Sequence, residues 1–311
     1  MRDARKQTRG NNLQRARFSR SLCLSAITAF VHLLCAIALA QAIRPESAGA
    51  SLTVTTRPDS VIFINNVRHG RTDESGVFEV KLKAGSYAVR VRAVGFSDWK
   101  APVVLTSGAT KALKVTVEPT SDQALLHYQR GDDLREKLKN KDAVKEYEEA
   151  LGLRAVFPEA RIALTRSLIS LQRFQEAEAQ VQAAMKDNKR PFAEAHTVLA
   201  NLRRQQGLTE EAITEYRTAL RVARGVSPEA HIGLAIALNE AGEIDAAIKE
   251  YRIGIAQDMD TEPILYYQLG NILEKEQRNK EAIEAYQNYL RLDPKGELAS
   301  AVESMIEMLK K

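Results

Sequence analysis

Beyond residue 42 this 311-residue chain has no cysteine, because Cys23 and Cys35 both lie in its first segment. A disulfide framework, a thiolate zinc site and, once that segment is removed, a cysteine nucleophile are therefore excluded from the rest of the chain. The basic excess is missing from the rest as well. Residues 1–42 hold seven Lys or Arg and one acidic residue, a net +6 against +5 for the whole chain, so the remainder carries −1. Nucleic-acid binding needs a clustered basic face on the folded part and loses its compositional support. The glycines of residues 70–108 are dispersed and none is followed by Gly-Lys-Ser/Thr, and no Gly-x-Ser-x-Gly elbow occurs. Trp99 is the one tryptophan and falls in a β-rich region, where it reads as core.

The first segment has its own logic. Arg2, Arg5, Lys6, Arg9, Arg15, Arg17 and Arg20 precede an uncharged run over residues 22–40 that ends in Ala40-Gln41-Ala42. A basic end, an apolar core and a small-x-small site form the order of a secretory signal. The apolar run is longer than the usual signal core and near the minimum for a membrane span, so residues 21–42 fit either a cleaved signal or an uncleaved membrane anchor. Lipidation is disfavoured because Leu34 and Leu22, not small residues, precede the two cysteines. Both alternatives place the later domains outside the cytoplasm, periplasmic or elsewhere in the cell envelope.

The most informative feature is a repeat. Ala143, Ala177, Ala212, Ala247 and Ala282 follow one another at intervals of 34, 35, 35 and 35 residues. The surroundings are alike: Glu211-Ala-Ile-Thr-Glu-Tyr-Arg-Thr-Ala219, Ala246-Ala-Ile-Lys-Glu-Tyr-Arg-Ile-Gly254 and Glu281-Ala-Ile-Glu-Ala-Tyr-Gln-Asn-Tyr289. In the fourth copy Ile232, Leu234, Ala235 and Leu238 recur at helical spacing, Gly242 breaks the run, and Ile244, Ala247, Ile248, Tyr251 and Ile255 start another. Pro158, Pro191, Pro228, Pro263 and Pro294 mark the joints between copies. A unit of this length cannot bury its apolar face alone, so the copies must stack into a solenoid. Leu298, Val302, Met305, Ile306 and Leu309 form one more amphipathic helix, which covers the last face.

Helix, tight turn, helix and prolyl joint in about 34 residues resemble the tetratricopeptide repeat (TPR). The family's small first-helix position is Gly131, Ala200, Ala235 and Gly270, with Thr165 departing; its second-helix alanine is the series above. The following aromatic is Tyr147, Tyr216, Tyr251 and Tyr286, with Val181 departing. The resemblance implies five units plus a capping helix over residues 122–311, and a concave face lined by one stripe of each first helix. By register that stripe runs from Tyr128, Asp132 and Arg135 to Tyr267, Asn271 and Glu274. Its candidate peptide-binding residues are Arg166, Asn201, Arg204, Asn239, Tyr267 and Asn271, because Asn can hold a peptide backbone while Tyr and Arg anchor side chains. The Lys and Asn set of the family's two-carboxylate clamp is absent.

Residues 51–118 alternate with a period of two. Runs at 52–56, 61–65, 77–82, 87–94, 102–106 and 113–117 are separated by turn residues such as Pro58-Asp59, Asn65-Asn66, Gly76 and Ser107-Gly108. About six strands in so short a stretch predict a small β-sandwich. Pro58, Val61-Ile-Phe-Ile-Asn-Asn66, Gly70-Arg-Thr72, Lys83-Ala-Gly-Ser-Tyr87 and Gly95-Phe96 resemble the PEGA domain, although Asp73 and Asp59-Ser60 depart from its pattern. That resemblance implies an extracytoplasmic module that touches envelope material.

His127, His196 and His231 occupy equivalent positions in different units and are too far apart to share a metal, which predicts neither a metal site nor a cofactor. The expectation is a multidomain α and β protein, a PEGA-like β-sandwich followed by an all-α TPR solenoid. It is not an enzyme but a scaffold for a protein or peptide, with cell-wall glycan as a further ligand class. The alternative is a carbohydrate- or peptidoglycan-binding envelope protein whose repeats only oligomerise or space. Mature protein is expected to begin near Ile43 on N-terminal sequencing. A membrane-bound form that begins at Arg2 or Arg5 identifies the anchor, and soluble full-length cytoplasmic protein overturns both versions.

Overall fold

The computed structural model describes residues 49–65, 67–258 and 262–310. The signal or anchor segment of residues 1–42 lies outside the described residues. The chain divides into two compact units. The larger comprises Leu52–Val80, Ser86–Val104 and Ala112–Lys311; the described part of the smaller comprises residues 49–51, Lys81–Gly85 and Leu105–Lys111.

Among the described residues seven strands precede eleven helices: β1 Ala50–Thr55, β2 Val61–Ile64, β3 Val67–Arg71, β4 Val77–Leu82, β5 Gly85–Arg92, β6 Trp99–Leu105 and β7 Thr110–Lys114. They form a three-stranded sheet, β4-β1-β7, and a four-stranded sheet, β3-β2-β5-β6. Alternation puts Leu52 and Val54 of β1, and Ile62, Ile64, Val89 and Val91 of the second sheet, in the core. β2 pairs with β5 so that Ile62 faces Val91 and Ile64 faces Val89. The strand not foreseen is β3. Val67-Arg-His-Gly-Arg71 has one apolar side chain and no alternation, yet an edge strand paired only to β2, across a bulge at Ile62/Phe63, requires none. The turn residues behave as their chemistry dictates: Asp59 and Asn65 have φ of 57° and 51°, the left-handed region that these side chains tolerate. His69 lies in β3, and burial lowers its pKa.

Eleven helices follow, as five pairs and a cap: α1 Gln123–Glu136, α2 Asn140–Leu153, α3 Pro158–Ser170, α4 Phe174–Asp187, α5 Ala193–Gln205, α6 Thr209–Val222, α7 Pro228–Glu240, α8 Ile244–Gln257, α9 Pro263–Lys275, α10 Asn279–Leu292 and α11 Ala299–Leu309. Pro158, Pro228 and Pro263 occupy the first turn, where no NH is lost. Every first helix ends in the same way. Residues 138, 172, 207, 242 and 277 have positive φ, and in each case the next NH donates back to the carbonyl five residues earlier, as from Lys139 to Leu134 and from Glu243 to Leu238. This is the Schellman closure, filled by Gly207 and Gly242 but by Leu138, Gln172 and Gln277 elsewhere.

The repeated alanines, Ala143, Ala177, Ala212, Ala247 and Ala282, are all 0% exposed. Tyr147, Tyr216 and Tyr286 are buried to the same degree against glycines. A Cβ on Gly131 would stand 2.5 Å from the Tyr147 ring, and one on Gly270 would stand 2.4 Å from Tyr286. These contacts lie within a unit, whereas a Cβ on Gly233 of the next unit would stand 2.3 Å from the Tyr216 ring, so the aromatic seals both joints.

The β strands and α1 are joined by buried polar contacts, which the separate periodicities of the two segments concealed. Arg92, at the end of β5, donates to Asp98 at 3.1 Å, to Asp132 of α1 at 2.6 Å and to the Tyr128 hydroxyl at 3.2 Å. Gln129 donates to the Phe96 carbonyl and accepts from the Gly95 NH, at 2.8 and 2.9 Å. Arg71 of β3 reaches Glu136 at 2.5 Å. A buried charge with two carboxylate partners is costly to lose, since removing one member strands the others. Arg92→Leu is therefore expected to destabilise the chain by about 3 kcal/mol. Helical circular dichroism and Trp99 fluorescence of the wild type should melt together. Two separate transitions, with Arg92→Leu affecting only the β transition, would show that the junction does not couple the parts.

Candidate functional site

The face shared by the first helices α1, α3, α5, α7 and α9 is built on a register of fifteen residues. Tyr147 donates its hydroxyl to Asp132 at 2.8 Å, Tyr216 to Asn201 at 2.5 Å and Tyr286 to Asn271 at 2.8 Å. Each bond ties a polar residue of the first helix to the aromatic of the second. The second unit has Val181 in place of the tyrosine, and there the equivalent first-helix residue, Arg166, turns along the face instead. Its guanidinium donates to Glu229 of α7 at 2.5 and 2.9 Å and to Glu194 of α5 at 3.4 Å. Asn201 adds a donor to Glu229 at 3.4 Å. Units two, three and four are thus cross-braced, and reaching from the second unit to the fourth requires a face that curves inward.

Of the predicted contact residues, Arg166 and Asn201 belong to this brace, and Arg204 donates to Glu240 at 3.0 Å. Asn271 accepts from Tyr286, whose hydroxyl also lies 2.6 Å from Glu274. Tyr267 packs its ring at 6.3 Å from Tyr286 and 6.2 Å from Tyr289. Asn239 is half-buried, and no partner takes its carboxamide among the described residues. Electrostatics follow the geometry. Burial would raise the Glu229 carboxyl, but the Arg166 charge holds it below the usual carboxylate range. Burial pushes the Tyr216 phenol up to about 12, so it remains a donor at neutral pH. Glu194, Glu229 and Glu240 did not emerge from the sequence as partners on this face. A signal was present, because Glu159, Glu194 and Glu229 recur at 35 residues, the period of the repeat.

A second face holds the three histidines. His127, His196 and His231 each bond through Nδ1 to a glutamate nineteen residues later, Glu146, Glu215 and Glu250, at 2.8, 2.7 and 2.5 Å. Each is a clasp between the two helices of one unit, and no group of three or more His, Cys, Asp or Glu among the described residues is placed to hold a metal. His231 also points Nε2 at the Gly225 carbonyl, 3.1 Å away. Both ring nitrogens then face acceptors, which favours the doubly protonated ring. Burial opposes the charge, but Glu250 and the carbonyl outweigh it and raise the pKa above 6.5. A raised folded-state pKa contributes stability that is fully present below about pH 6.5 and fades as pH rises through the folded value. His231→Gln should therefore cost about 1 kcal/mol more in urea unfolding below pH 6 than above pH 8. An equal loss at both pH values would rule out an imidazolium clasp.

Comparison with known proteins follows the same division. Residues 128–191, 162–225 and 197–262 match one tetratricopeptide repeat family and residues 263–295 another, while residues 46–118 match the carboxypeptidase regulatory-like domain. No curated protein matches the chain in sequence. Among solved structures, a thermophilic TPR protein of Thermus thermophilus is 20% identical with a TM-score of 0.52, covering 59% of this chain and 99% of its own. PilF of Pseudomonas aeruginosa is 14% identical with a TM-score of 0.51, covering 60% of this chain and 89% of its own. At these identities the likeness is one of fold. With five helix pairs in a single register and repeat matches running over residues 128–295, more than half of its length, the chain belongs to the tetratricopeptide repeat family, whose arrays are generally non-catalytic scaffolds for protein and peptide partners.

Proposed function

We propose that this chain is a non-enzymatic, extracytoplasmic scaffold that binds a protein or peptide on the first-helix face of its repeats, while its PEGA-like β module contacts envelope material. The observation that carries the binding role is the stripe itself. The first helices of five successive units share one face, with polar or aromatic side chains in register on most of them, and a partner laid along it meets every unit. Location rests on the basic, apolar and small-residue order of residues 1–42. The role of the β module rests on the PEGA-like turns and on its charge, ten basic and six acidic residues over 51–118, opposite in sign to the 27 basic and 32 acidic residues over 119–311.

The geometry also decides which substitutions test the idea. Asn239→Ala removes a carboxamide with no intramolecular partner and should change stability by no more than about 0.5 kcal/mol. Asn271→Ala leaves the Tyr286 hydroxyl with Glu274, 2.6 Å away, as its acceptor and should likewise cost no more than about 0.5 kcal/mol. Glu215 is unsuitable as a control because it clasps His196. Exposed Arg217 and Lys249, on the second helices, are suitable. A protein captured from envelope membranes by the full chain should lose about fivefold in affinity or more with Asn239→Ala and Asn271→Ala combined. It should lose little with Arg217→Ala and Lys249→Ala combined. A captured protein that reverses this order overturns the groove, and glycan recovered equally by every variant favours the alternative in which the β module does the binding.

A further inference from the structure

The face is not uniform, and its two halves differ in what they leave available. In units one to three the charged groups pair within the chain, although the buried Nε atoms of Arg135 and Arg204 have no partner among the described residues: Asp132 holds Arg92 and Tyr147, Arg166 holds Glu229 and Glu194, Asn201 serves Tyr216 and Glu229, and Arg204 holds Glu240. A ligand there must break charged hydrogen bonds before it makes any. In units four and five the equivalent positions turn apolar or unpaired. Ile236 stands where Arg166 and Asn201 stand in earlier units, and exposed Ile264 stands where Glu194 and Glu229 do. Ile232 and Tyr267 are half-buried against the core and complete an apolar floor. Asn239 has no partner, and Glu274 accepts from Tyr286 but has no Lys or Arg within salt-bridge distance among the described residues.

Charge divides at the same place. Residues 119–225 carry eighteen basic and sixteen acidic side chains, a net +2, whereas residues 226–295 carry seven and thirteen, a net −6. A face with an apolar floor, an open carboxamide and an uncompensated carboxylate, set in a strongly acidic part of the chain, complements a segment with apolar side chains and a cation. Resting on the groove reading above, we infer that the ligand seat is confined to units four and five and takes an extended peptide that alternates apolar and basic residues. Asn239 bonds its backbone, Ile236 and Ile264 take its apolar side chains, and Glu274 pairs with its Lys or Arg. Units one to three act as the brace that holds the seat in shape.

The probe is a fluorescein-labelled peptide of alternating Leu and Lys, compared with one of alternating Leu and Glu, each titrated with the full chain by fluorescence anisotropy. The Leu-Lys peptide should bind saturably below about 1 mM, and Glu274→Gln should weaken it roughly tenfold, the loss of one charged hydrogen bond. Glu284→Gln removes the same charge from the second helix of the same unit and should change binding less than about twofold. Equal weakening by Glu274→Gln and Glu284→Gln reduces the attraction to diffuse charge and overturns the seat. Preference for the Leu-Glu peptide, or no saturable binding of either peptide, overturns it as well. Binding that ignores Glu274→Gln but falls with Arg166→Ala or Arg204→Ala moves the ligand to units one to three. That result overturns this inference and leaves the groove reading intact, whereas a partner indifferent to every residue of the face removes both.

Discussion

Close approach between helices is the constraint on which the rest of this molecule depends. A fully buried alanine in every second helix and a small residue in most first helices bring the two backbones together, and the tyrosine ring then closes over the gap with no room for a Cβ at Gly131, Gly233 or Gly270. Interiors packed to this density are not continuously deformable. The spacing from one unit to the next is thereby set, and so is the position of every polar residue on the first-helix face. The phenol of the same tyrosine emerges at that face and holds Asp132, Asn201 or Asn271. One side chain thus carries packing on its ring and site geometry on its hydroxyl, which is why the stripe keeps a register of fifteen residues from helix to helix.

Periodicity made the array legible, because a solenoid writes each packing requirement into the sequence five times. The helices, their prolines, the alanine series and the cap could all be read in that way. What could not be read is whatever occurs once or depends on partners far apart in the chain. β3 has no alternation because an edge strand buries little, so its residues resemble a turn. The closing residues Leu138, Gln172 and Gln277 hide a left-handed position that only Gly207 and Gly242 advertise. The strain of a side chain in that region is of order 1–2 kcal/mol, and the paired backbone hydrogen bonds of the Schellman closure offset it. On the candidate face, register located Arg166, Asn201 and Arg204 but not their engagement, since each meets a carboxylate 28 to 63 residues away.

Arg92 shows how the β strands and the repeats become one structure. A solenoid exposes an apolar face at each end and must cover both. At the C-terminal end α11 does so with Val302 and Ile306. At the other end α1 is a weakly amphipathic helix whose buried residues include Tyr128 and Gln129, an unusual pair for a terminal face. The β module supplies what they lack: backbone partners for Gln129 from Gly95 and Phe96, and for Tyr128 both a hydrogen bond and a guanidinium stacked 4.9 Å from its ring. The turn and strand end at Arg92–Phe96 therefore serve as the N-terminal cap of the array.

The same logic explains why the charges lie where they do. A guanidinium that reaches from the second unit to the fourth costs desolvation and side-chain entropy and yields little net stability when half exposed. Its effect is geometric, because it fixes the separation of α3 and α7 on the inner face, which packing at the outer helices alone sets less tightly. Beyond Glu240 no ion pair crosses the first-helix face among the described residues, and between α7 and α9 the apolar contacts predominate. The part of the array with the fewest internal bonds on its inner face is also the part with the largest unbalanced charge. In a structure held together by repetition, a stretch where the repeat keeps its packing but drops its internal ion pairs is where an external partner gains the most, because it neutralises charge without displacing anything.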